Sequence, residues 1–156
     1  MPPTSLVQFV SRTRGAGRQI NVCTGYQSRL KECLPARAEN IALLRRAVVA
    51  YAGSNGASER QREDIALAVS EALSNAVLHA YVGRDSPGDV GVDAWIDDER
   101  ALEVVVCDDG VGMLPRTDSP GLGVGLSLIA RMTEHLAVES PDAMPGMRLR
   151  MTFAIG

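Results

Sequence analysis

The sequence of 156 residues has few cysteines, few aromatic side chains and no long hydrophobic segment. No apolar run approaches the roughly 20 residues needed to cross a bilayer, and residues 6–10 are too short for the apolar part of a secretory signal. Cys23, Cys33 and Cys107 are an odd set without paired metal-ligand spacing, which argues against a disulfide framework or a zinc site. We therefore expect a cytoplasmic chain with reduced thiols and one compact domain.

Positive charge is concentrated at the start of the chain. Residues 1–31 contain five basic and no acidic side chains, whereas the remainder has 11 basic against 19 acidic residues, a net charge of −8. An acidic body with few aromatic residues lacks the surface that nucleic acids require, so we expect no nucleic-acid partner. Residues 1–27 lack periodicity, which indicates a flexible arm or a cloning remnant, or alternatively an arm that docks on an acidic partner.

Residues 28–156 are predicted to form a single α+β domain. Apolar residues at helical spacing indicate helices, Ser58 followed by Gln61 has the pattern of a capping box, and alternation of apolar and polar residues indicates strands. Order is expected to begin near Leu30. The predicted elements are helices over about 35–52, 58–81 and 124–135, a hairpin of strands over 90–96 and 102–106, and a closing strand pair whose last member spans 147–155.

Glu71, Asn75 and His79 recur at every fourth position of the second predicted helix. Residues four apart drift by only about 40° around a helix, so the three side chains form one polar stripe beside the apolar face. A carboxylate next to an amide oxygen suits a hard cation such as Mg²⁺ with phosphate, and the Glu can accept a proton. The alternative is a half-exposed helix with ordinary polar residues.

The sequence DDGVG over residues 108–112 directly follows a predicted strand. Asp108 at the strand end can accept a hydrogen bond from an exocyclic amine such as that of adenine. Gly110 and Gly112 permit a close ligand approach that a Cβ would block. A plain aspartate-glycine turn is the alternative.

The sequence GLGVGL over residues 121–126 opens the third predicted helix. Glycines before a helix expose backbone amides, and the partial positive charge of the helix N-terminus favours a phosphate group. No Lys followed by Ser or Thr closes the loop, so it is not a Walker A loop, and the glycine spacing differs from the dinucleotide fingerprint. The alternative is a glycine-rich hinge.

In combination and in this order, a helix with ExxxN, a strand ending in DxGxG and a GxGxGL loop resemble the GHKL ATPase superfamily, which includes gyrase and the histidine kinases. The resemblance covers about residues 34–155. Within it, VSEALSNAVLHAY over residues 69–81 and the short link between the glycine motifs are similar to the anti-sigma factor serine kinases.

The resemblance implies a two-layer Bergerat-type sandwich, with a mixed or antiparallel sheet, about three helices on one face, and ATP between the helices and a lid. Glu71 would be the general base, Asn75 would ligate Mg²⁺, Asp108 would recognise the adenine amine, and Met113 would flank the base. The implied nucleotide-binding residues are Asn75, His79, Asp108, Gly110, Gly112, Met113, Gly121, Gly123, Val124, Gly125 and Leu126.

The functional expectation is an ATP-dependent serine kinase that acts on an anti-anti-sigma protein of the STAS type and sequesters a sigma factor, and homodimers are common among such kinases. Family members often have Thr where this chain has Met147, and the lid over residues 114–120 is short. An alternative is therefore a nucleotide-gated regulatory module with weak or no kinase activity. A third is a regulatory protein that binds no nucleotide.

Overall fold

The computed structural model describes residues 29–81, 83, 85–86, 88–110, 122–139 and 145–156, with only the backbone described at Leu122 and Gly123. These residues form an α+β fold, which confirms the predicted class. None of the described helices is long and apolar enough to cross a membrane. The elements in chain order are β1 Leu30–Pro35, α1 Ala38–Ser54, α2 Glu59–His79, β2 Asp89–Ile96, β3 Ala101–Asp108, α3 Leu122–Met132, β4 His135–Glu139 and β5 Met147–Ala154.

The described strands form a five-stranded sheet in the order β1-β2-β3-β5-β4, and every neighbouring pair is antiparallel. The predicted hairpin is present as β2 and β3. Its turn is held by the Asp97 carboxylate, which accepts hydrogen bonds from the backbone N–H groups of Glu99 and Ala101. Arg100 completes the turn with a φ of 67°, in the left-handed region.

The core lies between one face of the sheet and the three helices. Alternate residues of each central strand point into it. Residues 90–94 of β2 and 102–106 of β3 are all buried, so the middle of these two strands is buried on both faces of the sheet. Burying each large aliphatic side chain contributes about 1.5–3 kcal/mol. Fully buried core members include Leu44 and Val48 of α1, Ile65, Val69 and Leu73 of α2, Ile129 of α3, and Val92, Val104 and Met151 of the sheet.

Helix α2 begins with the predicted capping box. Ser58 Oγ accepts from the Gln61 N–H at 3.3 Å, and Gln61 Oε1 accepts from the Ser58 N–H at 2.8 Å. The Gln61 amide also donates to the Ala154 carbonyl at 3.0 Å, which fixes the start of α2 against the end of β5. These contacts set the rotation of α2, the helix that carries the polar stripe.

The structure differs from the prediction at two places. Residues 30–35, expected only to be ordered, form the edge strand β1, and α1 therefore starts at Ala38 because Pro35 still pairs with Asp89. The third helix spans Leu122–Met132 instead of about 124–135, so part of the glycine segment is helical, and His135 is the first residue of β4. Leu136 of β4 pairs with Met151, so this short segment completes the sheet. The prediction for residues 1–27 lies outside the described residues.

The outer face of the sheet carries a small polar cluster around Trp95. The Arg29 guanidinium donates to both carboxylate oxygens of Asp93 and lies 4.5 Å from the centre of the Trp95 ring. Arg150 approaches the same ring at 5.6 Å. Arg148 and Arg150 are exposed, as expected for this face, and the cluster lies on the side of the sheet away from the helices.

Candidate functional site

The polar stripe of α2 lies against the glycine-rich first part of α3. A Cβ placed on Gly125 would be 3.2 Å from both Asn75 Nδ2 and Glu71 Oε2, and 3.7 Å from Asn75 Oδ1. Any side chain at this position would therefore crowd both polar groups. The structure thus brings together two of the three sequence features, the ExxxN stripe and the GxGxGL segment.

Asn75 is buried, and its Nδ2 has no hydrogen-bond partner within the described part of the chain. A buried donor without a partner costs roughly 1–3 kcal/mol, so such a group calls for an explanation, and a ligand is one of the usual ones. An amide offers an N–H for a phosphate oxygen and a carbonyl oxygen for a hard cation. The side chain therefore fits a phosphate accompanied by a divalent cation.

The N-terminal end of α3 adds a favourable field at the same place. Helix α3 begins at Leu122, so Gly125 lies at the end of its first turn, next to the backbone N–H groups of the helix start that have no partner within the helix. The partial positive charge of this end attracts anions. Glu71 Oε2 lies near this turn. The partial positive charge of the helix N-terminus would also attract the phosphates of a nucleotide.

Asp108 ends strand β3 between Val90 of β2 and Met147 of β5. Its Oδ1 accepts a hydrogen bond from the Gly110 N–H at 2.9 Å, which forms a tight turn. Burial raises the pKa of the Asp108 carboxyl, and the backbone N–H groups of Gly110 and Met147 partly oppose that rise. Asp108 is a half-buried acceptor, as recognition of an amine requires.

Two glycines bring the Asp108 turn close to its neighbours. A Cβ on Gly110 would overlap the carbonyl oxygen of Ala80, the residue that follows α2. Gly146 has a φ of +123°, and a Cβ there would overlap the backbone oxygen of Asp108. The turn after β3 thus packs directly on the end of α2, so the described parts of all three sequence features lie on neighbouring elements.

Tyr81 and Asp109 form a contact that the sequence did not predict. The Tyr81 hydroxyl lies 2.7 Å from Asp109 Oδ1 and also within hydrogen-bond distance of the Asp89 carbonyl, and Asp109 Oδ1 accepts from the Asp89 N–H at 3.0 Å. Burial raises the pKa of Tyr81, so its hydroxyl stays protonated as a donor. The only sequence signals for this contact were the aromatic residue at the end of the 69–81 segment and the second Asp of the DDG sequence.

The remaining predicted residues are placed less centrally. His79 is half-buried as the last residue of α2, Val124 is 71% exposed, and Leu126 packs partly on the core. Gly123 is described only as backbone of α3. Gly112, Met113, Gly121 and the lid at residues 114–120 lie outside the described residues.

Met147 and the acidic side chains bear on what the site can bind. Met147 is buried beside Asp108 and supplies a backbone N–H but no hydroxyl. Among the described residues, no group of three or more His, Cys, Asp or Glu side chains could hold a metal. A cation here would therefore take most of its ligands from phosphate and water, which is the usual coordination of Mg²⁺.

Residues 34–153 match the family described as the histidine kinase-like ATPase domain. The serine-protein kinase RsbW of Bacillus licheniformis is 40% identical over 76 residues, which cover 49% of this chain and 47% of that relative. The serine-protein kinase RsbW of Bacillus cereus (strain AH187) is 28% identical over 126 residues, which cover 71% of this chain and 77% of that relative. This chain thus aligns with about half the length of the first relative and three quarters of the second.

Two solved structures share the fold. The RsbU and RsbW domains of Rv1364c from Mycobacterium tuberculosis superpose with a TM-score of 0.64 at 21% identity, over 82% of this chain and 32% of that chain. The blue-light activated histidine kinase of Erythrobacter litoralis EL346 gives a TM-score of 0.51 at 22% identity, over 76% and 42%. Both agree with the helix-on-sheet arrangement described above.

Proposed function

Because this chain belongs to the histidine kinase-like ATPase domain family, we propose that it is a cytoplasmic kinase that uses ATP and Mg²⁺ to phosphorylate a serine on a STAS-type anti-anti-sigma protein. We further propose that a separate surface sequesters a sigma factor. The relatives named serine-protein kinase support the reaction class, and the partners are inferred from that resemblance.

The observation that carries the proposal is the close packing of Gly125 on Glu71 and Asn75, which leaves little room for a side chain at that position. It places a carboxylate, a buried amide with an unpaired donor and a helix N-terminus around one point, which together suit a triphosphate. Mg²⁺ would neutralise charge on the phosphates when bound. Asn75 Oδ1 would ligate it, and Asn75 Nδ2 would donate to a phosphate oxygen.

Glu71 would then act on the protein substrate. Its carboxylate takes the proton from the serine hydroxyl as the serine oxygen bonds to the γ-phosphorus and the bond to the β-phosphate oxygen breaks, which releases ADP. Most of the catalysis comes from positioning and charge stabilisation, as in other phosphoryl transfers. Asp108 accepts a hydrogen bond from the adenine amine. Gly110, Gly112 and Met113 surround the base, and residues 121–126 surround the phosphates.

A second candidate is a nucleotide-gated binding module with little kinase activity. The buried Met147 supports it, because a thioether cannot supply the hydroxyl that often completes the adenine contacts in related proteins. The site could then bind nucleotide while orienting it poorly for transfer.

One experiment separates the candidates. The full chain is incubated with Mg²⁺, ATP labelled at the γ-phosphate and a purified STAS protein. Two quantities are measured, the phosphoserine formed on the STAS protein and the amount of complex between the two proteins. Transfer to serine supports the kinase, and a complex without transfer supports the module. If no phosphate is transferred and calorimetry detects no ATP binding, both candidates are refuted.

A further inference from the structure

A groove of about 580 Å³ lies between α1 and α2 and is separate from the site described above. Its volume lies within the range typical of ligand pockets, about 300–1,000 Å³. The groove has a floor of small side chains and a border of arginines. It is lined by Arg45, Arg46, Val49, Ala50 and Gly53 of α1, by Ala57 before α2, and by Arg62 and Ala66 of α2.

The groove and the candidate nucleotide site use opposite faces of α2. Arg62 and Glu71 are nine residues apart, as are Ala66 and Asn75, and nine residues correspond to about half a turn around the helix axis. Glu71 and Asn75 face Gly125 of α3, so the groove residues face α1. A ligand can therefore occupy the groove without contacting the nucleotide site.

Small side chains keep the groove open. Gly53 and Ala50 on α1 face Ala66 on α2, and the Arg62 stem crosses Gly53 so closely that a Cβ there would lie 3.2 Å from Arg62 Cδ. A partner side chain can reach the helix backbones where such small residues meet. The described lining of the floor is apolar and contains no aromatic ring on which a nucleic-acid base could stack.

The border of the groove is cationic in a chain whose net charge is −3. Within the described residues, Arg45, Arg46 and Arg62 form no ion pair, and the one side-chain hydrogen bond recorded among them is a long one of 3.4 Å from Arg45 to Ser70 Oγ. Arg46 and Arg62 are exposed and Arg45 is half-buried. Three guanidinium groups around an apolar floor complement carboxylates, which bind arginine with two parallel hydrogen bonds.

We propose that this groove is the docking surface for an acidic amphipathic helix of a partner protein. Small apolar side chains of that helix would lie on the alanine and glycine floor, and carboxylates on its flanks would pair with the three arginines. This combination fits an amphipathic helix in a groove, a common mode of peptide recognition. Arginine is also enriched in protein interfaces.

The test uses a fluorescein-labelled synthetic peptide of about 18 residues, five helical turns, with an alanine stripe flanked by glutamates. Binding to the full chain is followed by fluorescence anisotropy. The comparison peptides are a scrambled sequence of the same composition and a version with lysine in place of every glutamate. Saturable binding of the first peptide alone is expected.

Arg46→Glu and Arg62→Glu are each expected to weaken binding about tenfold or more, as expected when a favourable charge contact becomes repulsive. Arg60→Glu is the matched control, because Arg60 is exposed on the same helix and does not line the groove. It should change the affinity less than twofold, roughly the effect of a peripheral charge. Ala50→Trp, which fills the groove without changing charge, should also abolish binding.

A charge swap guards against misfolding of the variants. The double variant Arg46→Glu and Arg62→Glu should bind the lysine peptide better than wild type does, which an unfolded chain could not do. Equal weakening by Arg60→Glu, equal binding of the scrambled peptide, or no saturable binding would overturn the proposal. So would preferential binding of a single-stranded RNA of equal charge. Unchanged ATP affinity in the double variant would show that the nucleotide site is not involved.

Discussion

Glu71 and Asn75 lie one helical turn apart on α2, yet their proposed roles differ, and this difference can be measured. Glu71→Ala should retain ATP binding and lower phosphotransfer by roughly 10²–10⁴, the usual contribution of a positioned base. Glu63→Ala is a matched control, because Glu63 is an exposed carboxylate of the same helix. An unchanged transfer rate in Glu71→Ala, measured with labelled ATP and a STAS protein, would remove Glu71 from the reaction.

Gly125 allows a prediction in which ATP binding changes much more than the stability of the fold. Replacing a glycine within a helix by alanine usually stabilises by about 0.5–1 kcal/mol. In this protein the new methyl group would lie 3.2 Å from Asn75 Nδ2 and Glu71 Oε2 and would narrow the phosphate site. We expect Gly125→Ala to change Tm little, because the gain in helix preference and this crowding oppose each other, while ATP affinity falls about tenfold, roughly 1.4 kcal/mol, by calorimetry. A variant that binds ATP like wild type would place the phosphates elsewhere.

The raised pKa of Asp108 leads to a pH prediction. Because burial raises this pKa, the charged form disappears at a higher pH than in an ordinary aspartate, and adenine binding should weaken as pH falls through that range. Adenosine is a suitable probe, because it has no titrating phosphate. Asp108→Asn keeps an acceptor for the Gly110 N–H but should bind adenosine about tenfold more weakly at neutral pH and lose the pH dependence.

Protonation of Asp108 at low pH is expected to weaken adenosine binding but to stabilise the folded protein. A carboxyl whose folded pKa is raised binds its proton more tightly in the folded state, so it favours folding at low pH and opposes it as pH rises through the folded pKa. Asp108→Asn should therefore be at least as stable as wild type at neutral pH in a thermal melt. A clear loss of stability there would show that the carboxylate is a structural requirement.

Single residues were predictable where their signal was local. The spacing of Glu71, Asn75 and the glycines led to candidates that the fold then placed side by side, although their roles stay proposals. The Tyr81–Asp109 contact could not be predicted, because its partners are 28 residues apart and meet only when the β3 turn packs on α2. Neither could the burial of Asn75, because it depends on how closely α3 packs on α2.

At the scale of elements, helices and strands with strong periodicity were predicted well. The capping box fixed the start of α2, and alternation fixed β2, β3 and β5. The weak points were β1 and the end of α3. Residues 30–35 form a strand only because β2 supplies its partner, and His135 leaves the helix pattern because β5 offers an edge to pair with. Pairing of this kind depends on tertiary contacts.

Tyr81 joins two elements, and its removal should affect both. Tyr81→Phe deletes a hydroxyl that contacts Asp109 and the Asp89 carbonyl, and losing a hydrogen bond to a charged group costs about 1.5–3 kcal/mol. We expect a lower Tm and faster amide exchange in the Asp109 turn. ATP affinity should fall as well, because the turn carries Asp108. A variant with wild-type stability and slow exchange would show that the contact does not hold α2 and β3 together.

At the scale of the whole molecule, α2 is the element that the two proposed surfaces share. Its α3-facing side carries the polar stripe, and its α1-facing side lines the arginine groove. A rigid helix with two opposite faces allows a nucleotide and a protein segment to bind at the same time. Any coupling between the two would require a rotation or shift of α2, which the packing of Ile65, Val69 and Leu73 in the core resists.

The shared premise of the kinase and module proposals is that ATP binds the folded chain, and ligand-induced stabilisation measures it directly. A ligand at a hundredfold excess over its Kd stabilises by about 2.7 kcal/mol. For a domain of this size each kcal/mol raises Tm by roughly 2–4 °C, so ATP with Mg²⁺ should raise Tm by about 5–10 °C. GTP should raise Tm much less, because guanine has no amine at the position where adenine carries the one that would donate to Asp108. Chelating Mg²⁺ should reduce the shift that ATP produces. Equal shifts with ATP and GTP would contradict the role of Asp108, and no shift with either would leave the regulatory protein that binds no nucleotide as the best account.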